Sequence, residues 1–344
     1  MALVALAWLP ACVDDSQLGT TGLEVHGGDG EECPKLGCGT NSAHLGPTEF
    51  HELDETGVNA NAEGFRLASF TKNGVAYRLD VTGTTLTGKH MLAGQWVTAL
   101  SGQDLVGADL TINGANGFVY DIRVSSVSTK QPYWQGPAGM VNTYELIWKR
   151  IYPGTTDWIH VCNDPPNRED DEGKEWAGVT EAILFNGDRY DTSTLSVTAT
   201  GVRSTGPWFN IGCSGTVLAK LALNRHTDAT ATPSIPTTRA QRQAMLKMYT
   251  SDVCGTGQAF TKTGTPLRWW TTTGLASMAI PYSSMEARWD ENGAQCLTVH
   301  RLHGTFDDMD SQIADACAAA GKVLLPCGAF PPPYYLRTVS QALP

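Results

Sequence analysis

The sequence has little charge and lacks the features that several large classes of protein require. Only 17% of its residues are charged, against roughly a quarter in an average soluble domain. The net charge is −11 and no cluster of lysine and arginine is present, which argues against a nucleic-acid partner. Beyond the N-terminus no apolar stretch approaches the length of about 18 residues that indicates a membrane-spanning helix. No C-x-x-C pair is present, so we expect no zinc site and no other cofactor.

The first residues, MALVALAWLPAC, are typical of an export signal followed by a lipid-attachment site. The apolar run Ala2–Leu9 is too short to span a membrane, but it fits the core of a signal peptide. Leu9-Pro10-Ala11-Cys12 resembles a bacterial lipobox, although Pro10 and the missing positive charge before the run depart from that pattern. The sequence therefore predicts a signal peptide over residues 1–11 and a lipid on Cys12. The alternative is a buried N-terminal strand with a free Cys12.

The next segment, residues 12–45, is predicted to be a flexible tether that begins at the lipidated cysteine. It holds few large apolar side chains and many Gly, Asp, Glu, Ser and Thr residues. Such a segment buries too little apolar surface to offset the entropy of ordering it. These features predict a bacterial cell-envelope lipoprotein, attached to a membrane through Cys12 and facing the periplasm or the exterior.

The cysteine count agrees with export, because removing Cys12 leaves an even number. An even set of cysteines in an exported protein indicates disulfides. The eight predicted disulfide cysteines are Cys33, Cys38, Cys162, Cys213, Cys254, Cys296, Cys317 and Cys327. Spacing favours a local Cys33–Cys38 pair and a Cys162–Cys213 pair and leaves the other pairings open.

The pattern of turns and apolar residues predicts an α+β fold. Alternating strand-like runs fill residues 62–211, and Asn73-Gly74 is a strong hairpin signal. We predict an antiparallel β-rich domain, sandwich-like or barrel-like, over residues 46–205. A disulfide-stapled α+β part with about three helices is predicted to follow over residues 206–344 and to pack on the β-rich part.

Three segments in the second part have helical periodicity. Residues 214–226 carry an apolar stripe with Ser214 as the expected N-cap. Residues 237–252 begin with Thr238 and Gln241, spaced as a capping box. Residues 307–321 open with aspartates, which suit a helix N-terminus. Asn186-Gly187 and Asn292-Gly293 predict two further turns.

The candidate catalytic residues are weak. Gly212–Thr216 lies between a strand and a helix and resembles the G-x-S-x-G nucleophile turn, but Thr216 replaces the last glycine. Ser214 is therefore a nucleophile candidate that is equally well explained as an N-cap. The histidines that could serve as its base are His160, His300 and His303.

The sequence also contains candidate residues for metal and carbohydrate sites, each with a structural alternative. His300 and His303 precede a run of aspartates, but in a strand they would point to opposite faces, so we expect no metal there. Residues 168–176 are acidic but lack the spacing of a calcium loop and are expected to be a solvated loop. Tryptophans could form a carbohydrate-stacking surface or fill a core. They are Trp134, Trp208, Trp269 and Trp270.

The stretch YTSDVCG (249–255), followed by GTP, resembles the signature of the ADYC-domain proteins, a bacterial family with many lipoproteins. Ser251 stands for the Ala of that motif and Val253 for the Tyr, so the chain resembles a divergent member. The matching motif residues are Asp252, Cys254, Gly255, Gly264, Thr265 and Pro266. The likeness covers most of residues 100–330. It implies no activity, and it implies structural roles for Cys254, as half of a bridge, and for Asp252, as a helix-end or turn acceptor.

Two functions remain as predictions. The first is a non-catalytic binding or structural role at the cell envelope, with a protein or glycan as ligand. The second is a secreted hydrolase acting on an envelope or extracellular polymer, with Ser214 or a carboxylate pair and one of the three histidines.

Overall fold

The computed structural model describes residues 43–115, 117–130, 140–162, 180–191, 194–199, 207–227, 237–261, 267–271, 285–302, 308–328 and 336–340. The helices in this part are α1 (Val217–Leu223), α2 (Arg239–Thr250) and α3 (Met309–Ala319), and a 3₁₀ turn spans Gly102–Leu105. The strands are β1 (His44–Leu45), β2 (Thr48–Glu49), β3 (Glu52–Asp54), β4 (Arg66–Lys72), β5 (Val75–Thr82), β6 (Thr85–Leu92), β7 (Gln95–Ser101), β8 (Asp109–Asn113), β9 (Val119–Lys130), β10 (Val141–Arg150), β11 (Ile159–His160), β12 (Glu181–Asn186), β13 (Arg189–Asp191), β14 (Ser196–Ala199), β15 (Trp208–Cys213), β16 (Leu267–Thr271), β17 (Met285–Asp290), β18 (Gly293–Leu297) and β19 (Leu336–Ser340).

The main sheet is antiparallel and folds over on itself. Its strand order is β3-β15-β12-β10-β9-β8-β4-β5-β6-β7, and β11 pairs with β10 beside this path. Strand β5 pairs with β4 up to Tyr77 and with β6 from Arg78 onward, so it passes from one layer to the next. The β5–β6 turn reaches back across the sheet, where Gly83 and Asn186 exchange hydrogen bonds of 3.2 and 3.1 Å. The predicted sandwich-like β-rich architecture is confirmed.

The sheet has a hydrophobic core on each side. Leu184 faces the core between the two layers of the sandwich, and its neighbour Phe185 faces the core formed with the helices. The second core also contains residues of a smaller antiparallel sheet with the order β16-β19-β17-β18. Strand β15, which lies within the predicted region 206–344, pairs with β12 and β3 in the main sheet.

The predicted turns lie where the sequence indicates them. Asn73 and Gly74 both have positive φ, 51° and 77°, and they join β4 to β5. Gly187, with φ of 116°, separates β12 from β13. At Asn292-Gly293 the hairpin forms as predicted, although Gly293 is already the first residue of β18.

The structure describes three helices in the second part, as predicted. The capping box of α2 is confirmed, because the Thr238 hydroxyl accepts from the Gln241 N–H and the Gln241 side chain accepts from the Thr238 N–H. The predicted N-cap of α1 was wrong: Thr216 caps this helix. Strand β15 runs on through Cys213, and the turn through Gly215, at φ 87°, delays the helix by two residues. No helix within the described residues has the length and apolar character needed to cross a membrane.

Three disulfides join remote segments of the described chain. They are Cys162–Cys213, Cys254–Cys317 and Cys296–Cys327. The first confirms the predicted pair and ties the end of β15 to the segment after β11. The second joins α3 to the turn after α2, and the third joins the chain after α3 to β18 of the small sheet. Cys12, Cys33 and Cys38 lie outside the described residues.

Candidate functional site

Asp252, at the centre of the motif, is fully buried, and its carboxylate is held by groups close to it in the sequence. Its Oδ1 accepts from the backbone N–H groups of Gly255 and Thr256, at 2.8 and 3.0 Å. Its Oδ2 accepts from the Gly257 N–H at 2.7 Å and from Lys247 Nζ at 2.5 Å. Asp252 thus closes the turn after α2, as the family resemblance implies.

The rest of the described motif packs backbone against backbone on the β17–β18 hairpin. A Cβ on Gly255 would lie 2.2 Å from the carbonyl oxygen of Asn292, and a Cβ on Gly293 would lie 2.6 Å from that of Asp252. The Ala294 N–H also donates to the Val253 carbonyl at 3.0 Å. The motif therefore joins α2 to this hairpin and builds the fold. Gly264, Thr265 and Pro266 lie outside the described residues.

His300 is placed where it cannot meet an external substrate. It is 1% exposed, and burial lowers its pKa to about 4. Its Nδ1 accepts from the Leu302 N–H at 3.2 Å, so its proton resides on Nε2, which lies 3.2 Å from the Ser251 hydroxyl. In this tautomer His300 cannot take a proton from Ser251, and Ser251 is itself fully buried. His303 lies outside the described residues.

Ser214 does not occupy the position of a nucleophile. It is buried, and its N–H donates to the Glu181 carbonyl at 2.9 Å, which extends the pairing of β15 with β12. A nucleophile turn presents its serine at an exposed, strained bend. Ser214 instead continues a strand ladder.

His160 lies beside a pair of carboxylates on the face of the main sheet opposite the sandwich core, the face that carries Phe185 of the helix-side core further along β12. Glu145 and Glu181 are direct cross-strand partners in β10 and β12. His160 Nδ1 is 3.4 Å from Glu145 Oε1, and Lys130 Nζ is 3.1 Å from Glu181 Oε2. Glu145 also accepts from the Thr180 hydroxyl at 3.1 Å. Each carboxylate has its own basic neighbour, which offsets the repulsion between two like charges directly opposite each other.

The same face carries an aromatic platform. Trp158 is half-buried, with the Arg123 guanidinium 4.4 Å and the Lys149 ammonium 4.7 Å from its ring centroid. Arg123 is held in turn by a bidentate pair with Asp109, at 2.7 and 3.1 Å. We name these groups the outer row; its members are Asp109, Arg123, Glu145, Lys149, Trp158, His160 and Glu181.

Of the two alternatives for the tryptophans, a carbohydrate-stacking surface or a place in the core, two described members take the second. Trp208 and Trp269 are buried, at 6% and 8% exposure. The Arg189 guanidinium lies 3.8 Å from the Trp208 ring, and the Arg337 guanidinium lies 4.4 Å from that of Trp270. Trp208 and Trp269 thus belong to the buried part of the fold, where large aromatics supply much of the apolar area. Trp134 and residues 168–176 lie outside the described residues.

Within the described part of the chain, no cluster of three or more His, Cys, Asp or Glu side chains could hold a metal ion. The outer row therefore offers hydrogen-bonding and stacking groups. Sequence reasoning singled out only His160 among them. The one signal for Trp158 was its spacing two residues before His160, which puts both side chains on one face of a strand.

These features define a disulfide-stabilised antiparallel sandwich whose sheet is shared with a helical second part. The family profile of the ADYC domain matches residues 102–303, more than half of the chain, and the protein belongs to the ADYC-domain family. No curated protein and no solved structure was found to match it.

Proposed function

We propose that this ADYC-domain protein is an exported, lipid-anchored protein of the bacterial cell envelope that binds a ligand without catalysis. The observation that carries the proposal is the set of three disulfides, which join cysteines 51, 63 and 31 residues apart. Disulfides of this kind form and persist in oxidising compartments. The signal-like residues 1–11 and the lipobox-like Cys12 supply a matching route and anchor, since the several chains of a lipoprotein cysteine bind a membrane stably.

The outer row supports the binding role. Trp158 offers an aromatic surface on which a sugar ring can stack, and Glu145 and His160 offer hydrogen-bonding groups on the same face. Binding sites combine a few placed polar groups with apolar or aromatic surface. A polar glycan, or a protein loop of similar polarity, fits this combination.

Intact-mass spectrometry of the protein from its native membrane tests export and anchoring. The expected mass lacks residues 1–11, carries acyl chains on Cys12 and gains eight alkyl groups from alkylation only after reduction. An unprocessed chain whose thiols alkylate without reduction would show a reducing compartment and would contradict the proposal.

A binding assay on immobilised envelope polysaccharides tests the ligand site. W158A is expected to weaken binding about tenfold or more, because one stacking ring contributes on the order of 1–2 kcal/mol. W96A removes another half-exposed tryptophan from a different sheet layer and is expected to bind as the wild type does. An equal loss of affinity in W158A and W96A would contradict the assignment of the ligand site to the outer row.

One observation favours a hydrolase as the second candidate. Glu145 and Glu181 are directly opposite in an antiparallel pair, so both carboxyl groups stand side by side on one face of the sheet. Glycosidases use two carboxyl groups that flank the bond they cleave. The two functions differ in one readout. If the wild type releases new reducing ends from the polysaccharide and E145Q does not, the protein is a hydrolase; if neither releases them, the binding role stands.

A further inference from the structure

Two hairpin turns, one between β4 and β5 and one between β6 and β7, end at the same edge of the sheet. Lys72 pairs with Val75 across the first turn, and Leu92 pairs with Gln95 across the second. Strands β5 and β6 are antiparallel partners, so the start of β5 and the end of β6 lie together. We name the apolar residues at this edge the hairpin tip; they are Val75, Met91, Leu92 and Trp96.

The hairpin tip is apolar on both faces. Met91 and Trp96 are direct cross-strand partners and share one face, while strand alternation puts Leu92 on the other. Val75 lies on the same face of β5 as the buried Leu79, yet it is exposed. The exposed fractions are 52% for Val75, 51% for Met91, 60% for Leu92 and 46% for Trp96. The tip therefore projects beyond the sandwich core, which covers the same strands further along.

Two basic residues, Lys72 and Arg78, lie beside the tip although the protein is acidic. Residues 66–100 contain four cations and a single carboxylate, in a chain of net charge −11. That carboxylate, Asp80, is bonded to Lys89 at 2.8 Å. The Arg78 guanidinium lies 5.3 Å from the Trp96 ring centroid, and Arg78 and Lys89 are cross-strand partners. Lys89 is paired with Asp80, and Arg66 lies at the opposite end of β4, so Lys72 and Arg78 are the cations that lie beside the apolar residues.

From this arrangement we infer that the hairpin tip inserts into the interface of an anionic lipid bilayer. The order along the tip follows the polarity of a membrane from acyl chains to headgroups. Leu92 is nearest the end, Met91 and Trp96 lie level with each other behind it, and the Arg78 cation lies against the tryptophan. A protein partner would cover one face of a hairpin, whereas here both faces are apolar. This contact is independent of a lipid on Cys12, and it would set the orientation of the domain on the membrane.

Co-sedimentation of the full chain carrying Cys12→Ser, which cannot be acylated at that residue, with lipid vesicles tests the inference. Vesicles of phosphatidylcholine with phosphatidylglycerol are expected to bind the protein more tightly than vesicles of phosphatidylcholine alone. Added salt is expected to reduce this difference in affinity. M91D/L92D is expected to lose about tenfold or more in partitioning. K72Q/R78Q is expected to lose only the preference for the anionic vesicles.

The matched control is V323D/L325D. It adds the same two charges at apolar residues that are 82% and 61% exposed but lie in the second part of the chain, so it is expected to bind vesicles as the parent chain does. Brominated lipids are expected to quench the tryptophan fluorescence of the parent chain more than that of W96F, because Trp96 enters the bilayer.

Equal binding of the two aspartate variants, or no binding of the parent chain to anionic vesicles, would overturn the inference. A parent chain that forms dimers without lipid, and loses them in M91D/L92D, would show that the tip joins two copies and would also overturn it. Neither result bears on export or on Cys12, because the mass measurement on the native protein tests those separately.

Discussion

Gly255 and Gly293 show why single residues of the motif can be structural without any catalytic part. Both have positive φ, 80° and 100°, and each faces the backbone of the other's segment. A side chain at either position meets carbonyl oxygen at once, and an L-residue at that φ is strained as well. The family motif therefore marks a close approach of two chain segments.

Gly255→Ala is expected to destabilise the protein by about 3 kcal/mol or more, because a clash with Asn292 adds to the strain of positive φ. Gly94→Ala is the matched control, since Gly94 has φ of 81° with nothing within 4 Å of its Cβ position. That variant is expected to lose about 1 kcal/mol. Urea unfolding of both measures the difference, and equal losses would mean that the backbone contact adds nothing.

Glu55 gives the fold a pH dependence of predictable sign. Burial raises the pKa of Glu55 to about 8, and the neighbouring Asp80 raises it further, although the Val81 N–H donates to it at 3.1 Å. Because the folded-state pKa lies above the unfolded value, its contribution to stability is complete below about pH 4.5 and is lost as pH rises toward 8.

Glu55→Gln is expected to flatten the decline in unfolding free energy between about pH 4.5 and 8, because glutamine mimics the protonated acid and keeps the acceptor for Val81. Glu291→Gln, at an exposed turn residue, should leave the decline as it is. Thermal unfolding across this pH range checks both variants, and an unchanged slope in Glu55→Gln would assign the decline to other groups.

At the scale of elements, helix α2 begins where its capping box predicts. The Thr238–Gln241 capping box satisfies two backbone N–H groups that would otherwise lack a partner in the helix. Thr238→Ala is expected to cost about 1 kcal/mol. Thr256, which is exposed in the turn after α2, supplies a control in Thr256→Ala, expected to be neutral. A neutral Thr238→Ala in denaturant unfolding would contradict the role of the cap.

Local signals predicted elements well and long-range placement poorly. The hairpin and the helix start could be predicted because their signals, Asn73-Gly74 and Thr238 with Gln241, depend only on residues a few positions apart. The prediction of Ser214 as the N-cap of α1 failed because the length of β15 is set by its pairing with β12. The outer row could not be predicted for the same reason. The register of β10 against β12 brings Glu145 beside Glu181, and this register has no local signal in the sequence.

At the scale of the molecule, the shared sheet links the two predicted parts. Strand β12 supplies side chains to both hydrophobic cores, and β15 pairs with it while leading directly into α1. Exposing either core would leave one face of this sheet without its covering. We therefore expect the described parts to unfold as one cooperative unit, as single domains usually do.

Leu184→Ala and Phe185→Ala test this cooperativity from neighbouring residues on opposite faces of one strand. Both are buried, at 1% and 0% exposure, so losses of about 2–5 kcal/mol are expected for each. In calorimetry, one transition is expected in the wild type, shifted to lower temperature by either variant. Two transitions, with Leu184→Ala lowering one and Phe185→Ala the other, would mean that the two cores unfold separately. A single shifted transition would mean that the outer row keeps its geometry only while both cores are intact, because β10 and β12 carry its carboxylates.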